Sequence, residues 1–100
     1  MAYSSHILSC GSYLPQRILT NQELAVRVDT SDEWIRARTG IHQRHIATEG
    51  ELTSGLGTKA AQVALQSAGL NAEEIDCIVV ATTTPDHTFP ASAARIQANL

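Results

Sequence analysis

Apolar residues recur along the chain with three different spacings, and each spacing predicts a different element. Residues 5–14 alternate loosely between apolar and small residues, which predicts a first strand that ends in a turn before Pro15. Residues 53–67 place apolar and alanine side chains every three or four positions up to Gly69, which predicts a helix. Residues 75–83 form a near-continuous β-branched run, typical of a strand buried on both faces of a parallel sheet. Strand, helix and strand in this order predict one right-handed crossover unit of an α/β fold.

Short helices are predicted where a threonine and a glutamate stand three residues apart. Thr20 with Glu23, and Thr30 with Glu33, each have the spacing of a capping box. The second of these helices has an acidic first turn, which suits the positive end of the helix dipole. Gly40 is expected to end it after about two turns, because glycine adopts the left-handed conformation of a helix stop.

The remaining elements have weaker signals. The first short helix is expected to turn Leu24 and Val26 inward. Residues 71–75 are predicted to form a turn or short helix after a capping asparagine. Pro90 suits the first turn of a last helix, which is expected to run to Leu100.

Residues 29–45 contain the only tryptophan and three of the six arginines of the chain. Thr30, Trp34 and Arg38 stand four residues apart, so a helix would align a hydroxyl, an indole and a guanidinium along one ridge. Such groups suit a nucleotide, because the indole can stack on a base and the guanidinium can bind phosphate oxygens. The alternative is that Trp34 anchors the core and the arginines are solvated charges. Residue chemistry alone favours this alternative.

Other reactive residues lack the surroundings that a site requires. Cys10 and Cys77 lie in apolar segments without metal spacing or a nearby base, so we expect small buried side chains. His42 and His45 have no further ligands at suitable spacing, so no metal site is predicted. His87 could act as a base, but a loop histidine without a visible partner is expected to be exposed.

Composition and charge limit the class of protein. One hundred residues with 43% apolar and 17% charged content are typical of a soluble chain with one modest core. The formal net charge of -3 gives no basic field for nucleic acid, and no apolar run reaches membrane-spanning length. The N-terminus lacks the features of a signal peptide. We therefore expect a cytoplasmic protein with neither nucleic-acid nor membrane partners.

Motifs along essentially the whole chain resemble one enzyme family. They are GSYLP (11–15), TN (20–21), DTSDEWI (29–35), RTGI (38–41), RHI (44–46), VVATT (79–83) and HTFP (87–90). Together they look like the signature of β-ketoacyl-acyl-carrier-protein synthase III, the thiolase-fold condensing enzyme that starts bacterial type II fatty acid synthesis. The resemblance implies an α/β, thiolase-like fold, layered αβαβα in the intact enzyme. Residues 1–100 would then be an incomplete part of its N-terminal half, without an internal domain boundary.

The resemblance implies a decarboxylative Claisen condensation in two steps. An acyl-coenzyme A, most simply acetyl-coenzyme A, acylates a cysteine, and malonyl-acyl-carrier protein then loses carbon dioxide and attacks the thioester. The catalytic cysteine, histidine and asparagine are expected beyond Leu100, so no catalytic residue is predicted within this chain. The thioester is a substrate, and no cofactor is expected. The family resemblance also implies a homodimer.

The resemblance assigns roles to five residues of this sequence. Thr30, Trp34 and Arg38 match residues that bind the nucleotide end of coenzyme A, with the adenine stacked against the tryptophan. Thr83 matches a threonine near the primer pocket. Phe89 matches a phenylalanine at the dimer interface, which reaches into the acyl pocket of the partner subunit.

Two alternatives stay open at this point. The first is a related condensing enzyme or acyltransferase that serves a secondary pathway with another primer. The second is a non-catalytic protein that only binds nucleotides or partners. A basic rim that includes Arg36 and Arg44 could also attract an acidic carrier protein by electrostatic steering.

Overall fold

The structure is a computed structural model that describes residues 2–100. It contains two compact units. The middle unit is Leu14–Gly50, and the flanking unit combines the described residues up to Tyr13 with Glu51–Leu100. The single incomplete domain expected from the sequence stays a prediction, because compactness does not test whether either unit folds alone.

The middle unit contains a two-stranded antiparallel sheet and two short helices. Its elements are β1 (Arg17–Thr20), α1 (Asn21–Ala25), α2 (Asp32–Thr39) and β2 (Gln43–Ile46). In the sheet, Leu19 lies opposite Arg44. Leu19 and Ile35 are 8% and 6% exposed and belong to the apolar core of this unit. The sequence pattern did not predict this sheet, because four-residue strands with mixed polarity have no clear two-residue period.

The capping box predicted at the start of α1 is confirmed. The backbone N–H of Thr20 donates to Glu23 Oε2 at 2.9 Å, and the N–H of Glu23 donates to Thr20 Oγ1 at 3.2 Å. These contacts lower the pKa of the Glu23 carboxyl. The hydrogen bond from the Thr20 backbone N–H has the largest effect, the bond from the Thr20 hydroxyl the next, and the charges of Arg17 and Arg27 contribute less to the lowered pKa. The inward orientation predicted for Val26 is wrong, since α1 ends at Ala25 and Val26 is exposed.

Helix α2 has the predicted length and stop but a different cap. Its left-handed C-cap is Gly40, with φ of 72°. The N-cap is Ser31, whose hydroxyl accepts the N–H of Trp34 at 3.1 Å, so the capping role predicted for Thr30 is wrong. Both residues satisfy the capping preference for a hydroxyl, and the sequence spacing does not decide between neighbouring positions.

The flanking unit contains the predicted long helix and the predicted last helix. Its elements are α3 (Thr53–Ala68), a 3₁₀ helix (Ala72–Glu74) and α4 (Ser92–Asn99). Gly69 ends α3 in the left-handed conformation, with φ of 68°. Helix α4 begins two residues after Pro90, so the proline precedes the first turn instead of occupying it. Helices α3 and α4 pack together, and Ile96 of α4 is buried.

The two strands predicted in this unit are not formed. Residues 5–14 and 75–83 have no regular secondary structure, although both contribute to an apolar cavity of about 430 Å³ beside α3. Ile7 and Val79 are 94% and 87% exposed. A strand exists only where a neighbour accepts its backbone hydrogen bonds, and no ladder joins these segments. The predicted crossover unit is therefore absent from the described residues.

The burial predicted for the cysteines is also wrong. Cys10 and Cys77 are free thiols, and both are exposed. Their segments were expected to be covered on both faces by sheet neighbours and helices. Because no strand pairs with either segment in residues 2–100, their small side chains remain open to solvent.

Candidate functional site

A buried amide fixes helix α2 in the middle unit. The Asn21 side chain is 0% exposed, and its Nδ2 donates to Asp32 Oδ1 at 2.9 Å and to the Ile41 carbonyl at 2.7 Å. These partners lie in the first turn of α2 and just after its last turn, so one side chain ties both ends of the helix. The role of Asn21 was not predicted, because a polar residue at the start of a short helix gives no sign of burial.

Helix α2 exposes an aromatic and a cationic side chain on one face. Trp34 is 57% exposed, and the Arg38 guanidinium carbon lies 5.4 Å from the centroid of its ring. This distance is within the range of cation–π contacts. The alternative that Trp34 is a core anchor is wrong, since Ile35 is the residue of α2 that is buried. Most of the indole remains free to contact a ligand.

Thr30 lies beside this face without being part of the helix. Helix α2 begins at Asp32, so the ridge of three helical residues predicted from spacing is reduced to Trp34 and Arg38. Thr30 nevertheless lines a cavity of about 350 Å³ together with Asp29, Ser31 and Trp34. Its Oγ1 atom is buried and has no hydrogen-bond partner. A buried hydroxyl without a partner is costly, which makes Thr30 the polar group beside this cavity that would gain most from a hydrogen bond.

The charges around the cavity are unequal. Asp29 is at the cavity, while Arg38 lies one turn of α2 further along than Trp34. Arg36 forms an i,i+4 ion pair with Asp32, with Nη1 to Oδ2 at 3.5 Å. The arrangement therefore suits a flat, neutral ring near Trp34, with anionic groups directed toward Arg38 and away from Asp29.

The other predicted site residues lie in the loop expected over residues 82–90 of the flanking unit. Helix α4 begins at Ser92, so the segment before it extends to residue 91, and we call it the 82–91 loop. Thr83, His87 and Phe89 are exposed, and Phe89 is 89% exposed. The backbone N–H of Ser54 donates to Asp86 Oδ1 at 2.9 Å. Hydrogen bonding from Ser54, through its side chain and its backbone N–H, lowers the pKa of the Asp86 carboxyl. The sequence analysis did not identify Asp86 as a contact residue.

Of the two histidines considered as metal ligands, His42 and His45, only His42 lies in a loop. His45 belongs to β2, and its Nδ1 contacts the carbonyl of Pro15. Arg44, also in β2, is half-buried, and its Nη1 has no hydrogen-bond partner. From residue 2 onward, the structure contains no group of three or more histidine, cysteine, aspartate or glutamate side chains that could hold a metal ion. None of the helices it describes is long and apolar enough to cross a membrane.

Two relatives that resemble the chain over nearly its whole length carry the same name. The β-ketoacyl-[acyl-carrier-protein] synthase III of Bradyrhizobium diazoefficiens is 62% identical over 96 residues, which are 96% of this chain and 29% of that protein. The enzyme of the same name from Paramagnetospirillum magneticum is 57% identical over 100 residues, 31% of its length. Over essentially its whole length the chain is similar to β-ketoacyl-[acyl-carrier-protein] synthase III enzymes. No protein-family profile matches it.

Solved structures of condensing enzymes resemble the chain as well. The 3-oxoacyl-[acyl-carrier-protein] synthase III of Aquifex aeolicus matches with a TM-score of 0.85 and 49% identity, over 92% of this chain and 30% of that one. The priming β-ketosynthase of the R1128 polyketide pathway matches with a TM-score of 0.86 and 38% identity, over 92% and 28%. The predicted thiolase-like α/β fold is confirmed. The chain spans about 30% of the length of the curated relatives it matches.

Proposed function

We propose that this chain is part of a β-ketoacyl-acyl-carrier-protein synthase III that condenses an acyl-coenzyme A with malonyl-acyl-carrier protein. In this proposal the cysteine that forms the thioester, and the histidine and asparagine of the catalytic site, lie outside residues 1–100. The chain itself binds the nucleotide of coenzyme A and forms part of the acyl pocket. High identity to synthase III enzymes supports the proposal, although the match covers only about 30% of each relative.

The exposed indole of Trp34, beside the unpartnered hydroxyl of Thr30, carries the coenzyme A part of the proposal. A large aromatic ring that is more than half exposed beside a cavity offers a flat apolar surface that a ligand can cover. In the proposed complex the adenine stacks on Trp34, the Thr30 hydroxyl bonds to the nucleotide, and Arg38 neutralises phosphate charge. The acyl thioester of coenzyme A is then a substrate, and no cofactor is required.

The 82–91 loop contributes to acyl binding in the same proposal. Thr83 would border the primer pocket, and Phe89 would enter the acyl pocket of the partner subunit in a homodimer. The exposure of Phe89 supports this role, because an isolated phenylalanine with 89% of its surface in water is suited to burial at an interface. The cytoplasmic location and the attraction of carrier protein by Arg36 and Arg44 stay predictions.

Trp34 fluorescence tests the nucleotide site, since residues 1–100 contain no other tryptophan. Coenzyme A is expected to quench the emission as the adenine stacks, whereas phosphopantetheine, which lacks the nucleotide, is not. Thr30→Val should weaken the response, because it removes the hydroxyl while keeping the side-chain shape. An equal response to both ligands would refute adenine stacking on Trp34.

Intact mass and turnover test the reaction in the full-length protein. Incubation with acetyl-coenzyme A is expected to add one acetyl group that a thiol reagent blocks, and malonyl-acyl-carrier protein should then yield a β-ketoacyl product. The resemblance to the R1128 enzyme keeps a polyketide priming role as the second candidate. A panel of primers distinguishes the two by the preferred acyl chain. Binding of coenzyme A without acetylation of the protein would favour the alternative of a non-catalytic binding protein.

A further inference from the structure

The 82–91 loop has no helix or strand, yet it carries both proposed acyl-pocket residues. The loop contacts the start of α3 and directly precedes α4, and neither helix begins with a side-chain cap. The N-cap of α3 is Leu52 and that of α4 is Ala91, and neither side chain makes a capping hydrogen bond. Such starts leave backbone N–H groups without partners, and another part of the chain must satisfy them.

Asp86 joins these two helix starts. Its carboxylate accepts the N–H of Ser54 in the first turn of α3 at 2.9 Å. Its own backbone N–H donates to the hydroxyl of Ser92, the first residue of α4, at 3.1 Å. Ser54 and Ser92 are both buried, so the two contacts hold the middle of the loop against ordered parts of the unit. The Thr53 hydroxyl adds a bond to the carbonyl of Thr84.

The charge of Asp86 matches this position. A carboxylate at the start of a sixteen-residue helix interacts favourably with the positive end of its dipole. Arg95 and His87 are the charged or titratable groups whose fields act on it, and both favour the ionised form. An uncharged residue at position 86 would lose the interaction with the dipole and, without an acceptor oxygen, the hydrogen bond as well.

We propose that Asp86 is the positioning residue of the 82–91 loop and thereby sets the acyl-chain selectivity of the site. The inference rests on the proposed function, in which Thr83 and Phe89 border the acyl pockets. Asp86 stands three residues from each of them, so fixing its carboxylate and its N–H limits the movement of the loop on both sides. A loosened loop would no longer hold the pocket wall at one depth, and primers of different length would be discriminated less.

Two variants at this position and one control test the inference in the full-length protein. Asp86→Ala removes the acceptor, and Asp86→Asn keeps an oxygen of the same geometry without the charge. Asp76→Asn, at an exposed aspartate of the same unit, is the matched control. The measurements are kcat and KM for acetyl- and hexanoyl-coenzyme A, together with hydrogen exchange at the Ser54 amide.

Asp86→Ala is expected to change the ratio of kcat/KM for the two primers by about fivefold, mainly through KM, a size typical of a lost capping bond. Asp86→Asn should restore more than half of that change, and Asp76→Asn should match the unmodified protein. Faster exchange at Ser54 with an unchanged primer ratio would overturn the inference and leave Asp86 a structural cap. If Asp86→Ala does not fold, the primer ratio and Ser54 exchange of Asp86→Asn decide alone. A smaller change of the primer ratio together with faster exchange supports the inference, and values equal to those of the unmodified protein overturn it. An unmodified protein without condensing activity would refute the proposed function itself.

Discussion

The guanidinium of Arg38 lies over the ring of Trp34, with 5.4 Å between its central carbon and the ring centroid. The two side chains are one turn apart on α2, and Arg38, unlike Arg36, has no ion pair with Asp32. The contact keeps a positive charge at the edge of an exposed aromatic surface. It therefore preorganises the combination of stacking and charge that a nucleotide phosphate would require.

Arg38→Ala should weaken the binding of coenzyme A by about tenfold, because one charge-assisted contact to phosphate is lost. Fluorescence titration or calorimetry measures the dissociation constant. Arg36→Ala is the matched control, since it removes the same charge from the same helix but from an ion pair with Asp32. Equal weakening by both variants would show that only general electrostatic attraction is involved.

Gly11 is a site where no side chain fits. A Cβ atom there would overlap the backbone oxygen of Ala60 and the backbone nitrogen of Ala64 in α3, and backbone atoms of a helix cannot move aside singly. Gly11→Ala should lower the free energy of unfolding by about 2 kcal/mol or more. Urea denaturation followed by circular dichroism measures the loss.

Gly55→Ala is the control for that substitution. A Cβ at Gly55 meets nothing within 4 Å, and the residue lies inside α3. Alanine there should raise the free energy of unfolding by about 0.5–1 kcal/mol, because it restricts the unfolded chain and favours the helix. Equal effects of the two variants would contradict the close approach of Gly11 to α3.

The capping box of α1 should make stability depend on pH. Because hydrogen bonds from Thr20 lower the pKa of Glu23 in the folded protein, the stabilisation is complete above the ordinary glutamate pKa. It is lost as the pH falls below about 4 through the lowered value. Unfolding curves at several pH values should therefore show Glu23→Gln less stable than the unmodified protein near pH 7 and nearly equal at low pH.

Glu33→Gln provides the comparison, since it removes the same charge from an exposed first-turn position of α2. Subtracting its effect separates the capping interaction from the interaction of any carboxylate with a helix dipole. A difference between Glu23→Gln and the unmodified protein that persists unchanged into acid would show that the carboxylate bonds to Thr20 do not stabilise the fold.

The spacing of residues along the sequence correctly predicted those structural elements that depend only on close neighbours in the chain. Three kinds of element depend only on groups within about four positions, so residue spacing is sufficient to predict them. They are the Thr20–Glu23 capping box, the left-handed helix stops at Gly40 and Gly69, and the helix of residues 53–67. Features that depend on distant partners were missed. Asn21, buried against Asp32 and Ile41, is one of them, and no local pattern marks it.

The sequence by itself determined the resemblance to synthase III enzymes, the helices and the candidate set of Thr30, Trp34 and Arg38. The tertiary structure decided that Trp34 is exposed and that Thr30 stands outside α2 with its hydroxyl unpartnered. It also decided that Asp86 accepts a backbone N–H at the start of α3, which lies 32 residues earlier in the chain. It also left the strands predicted at 5–14 and 75–83 unformed. The physical reason is the range of the interactions. Helix hydrogen bonds close within four residues, whereas burial and strand pairing require partners that only the folded chain brings together.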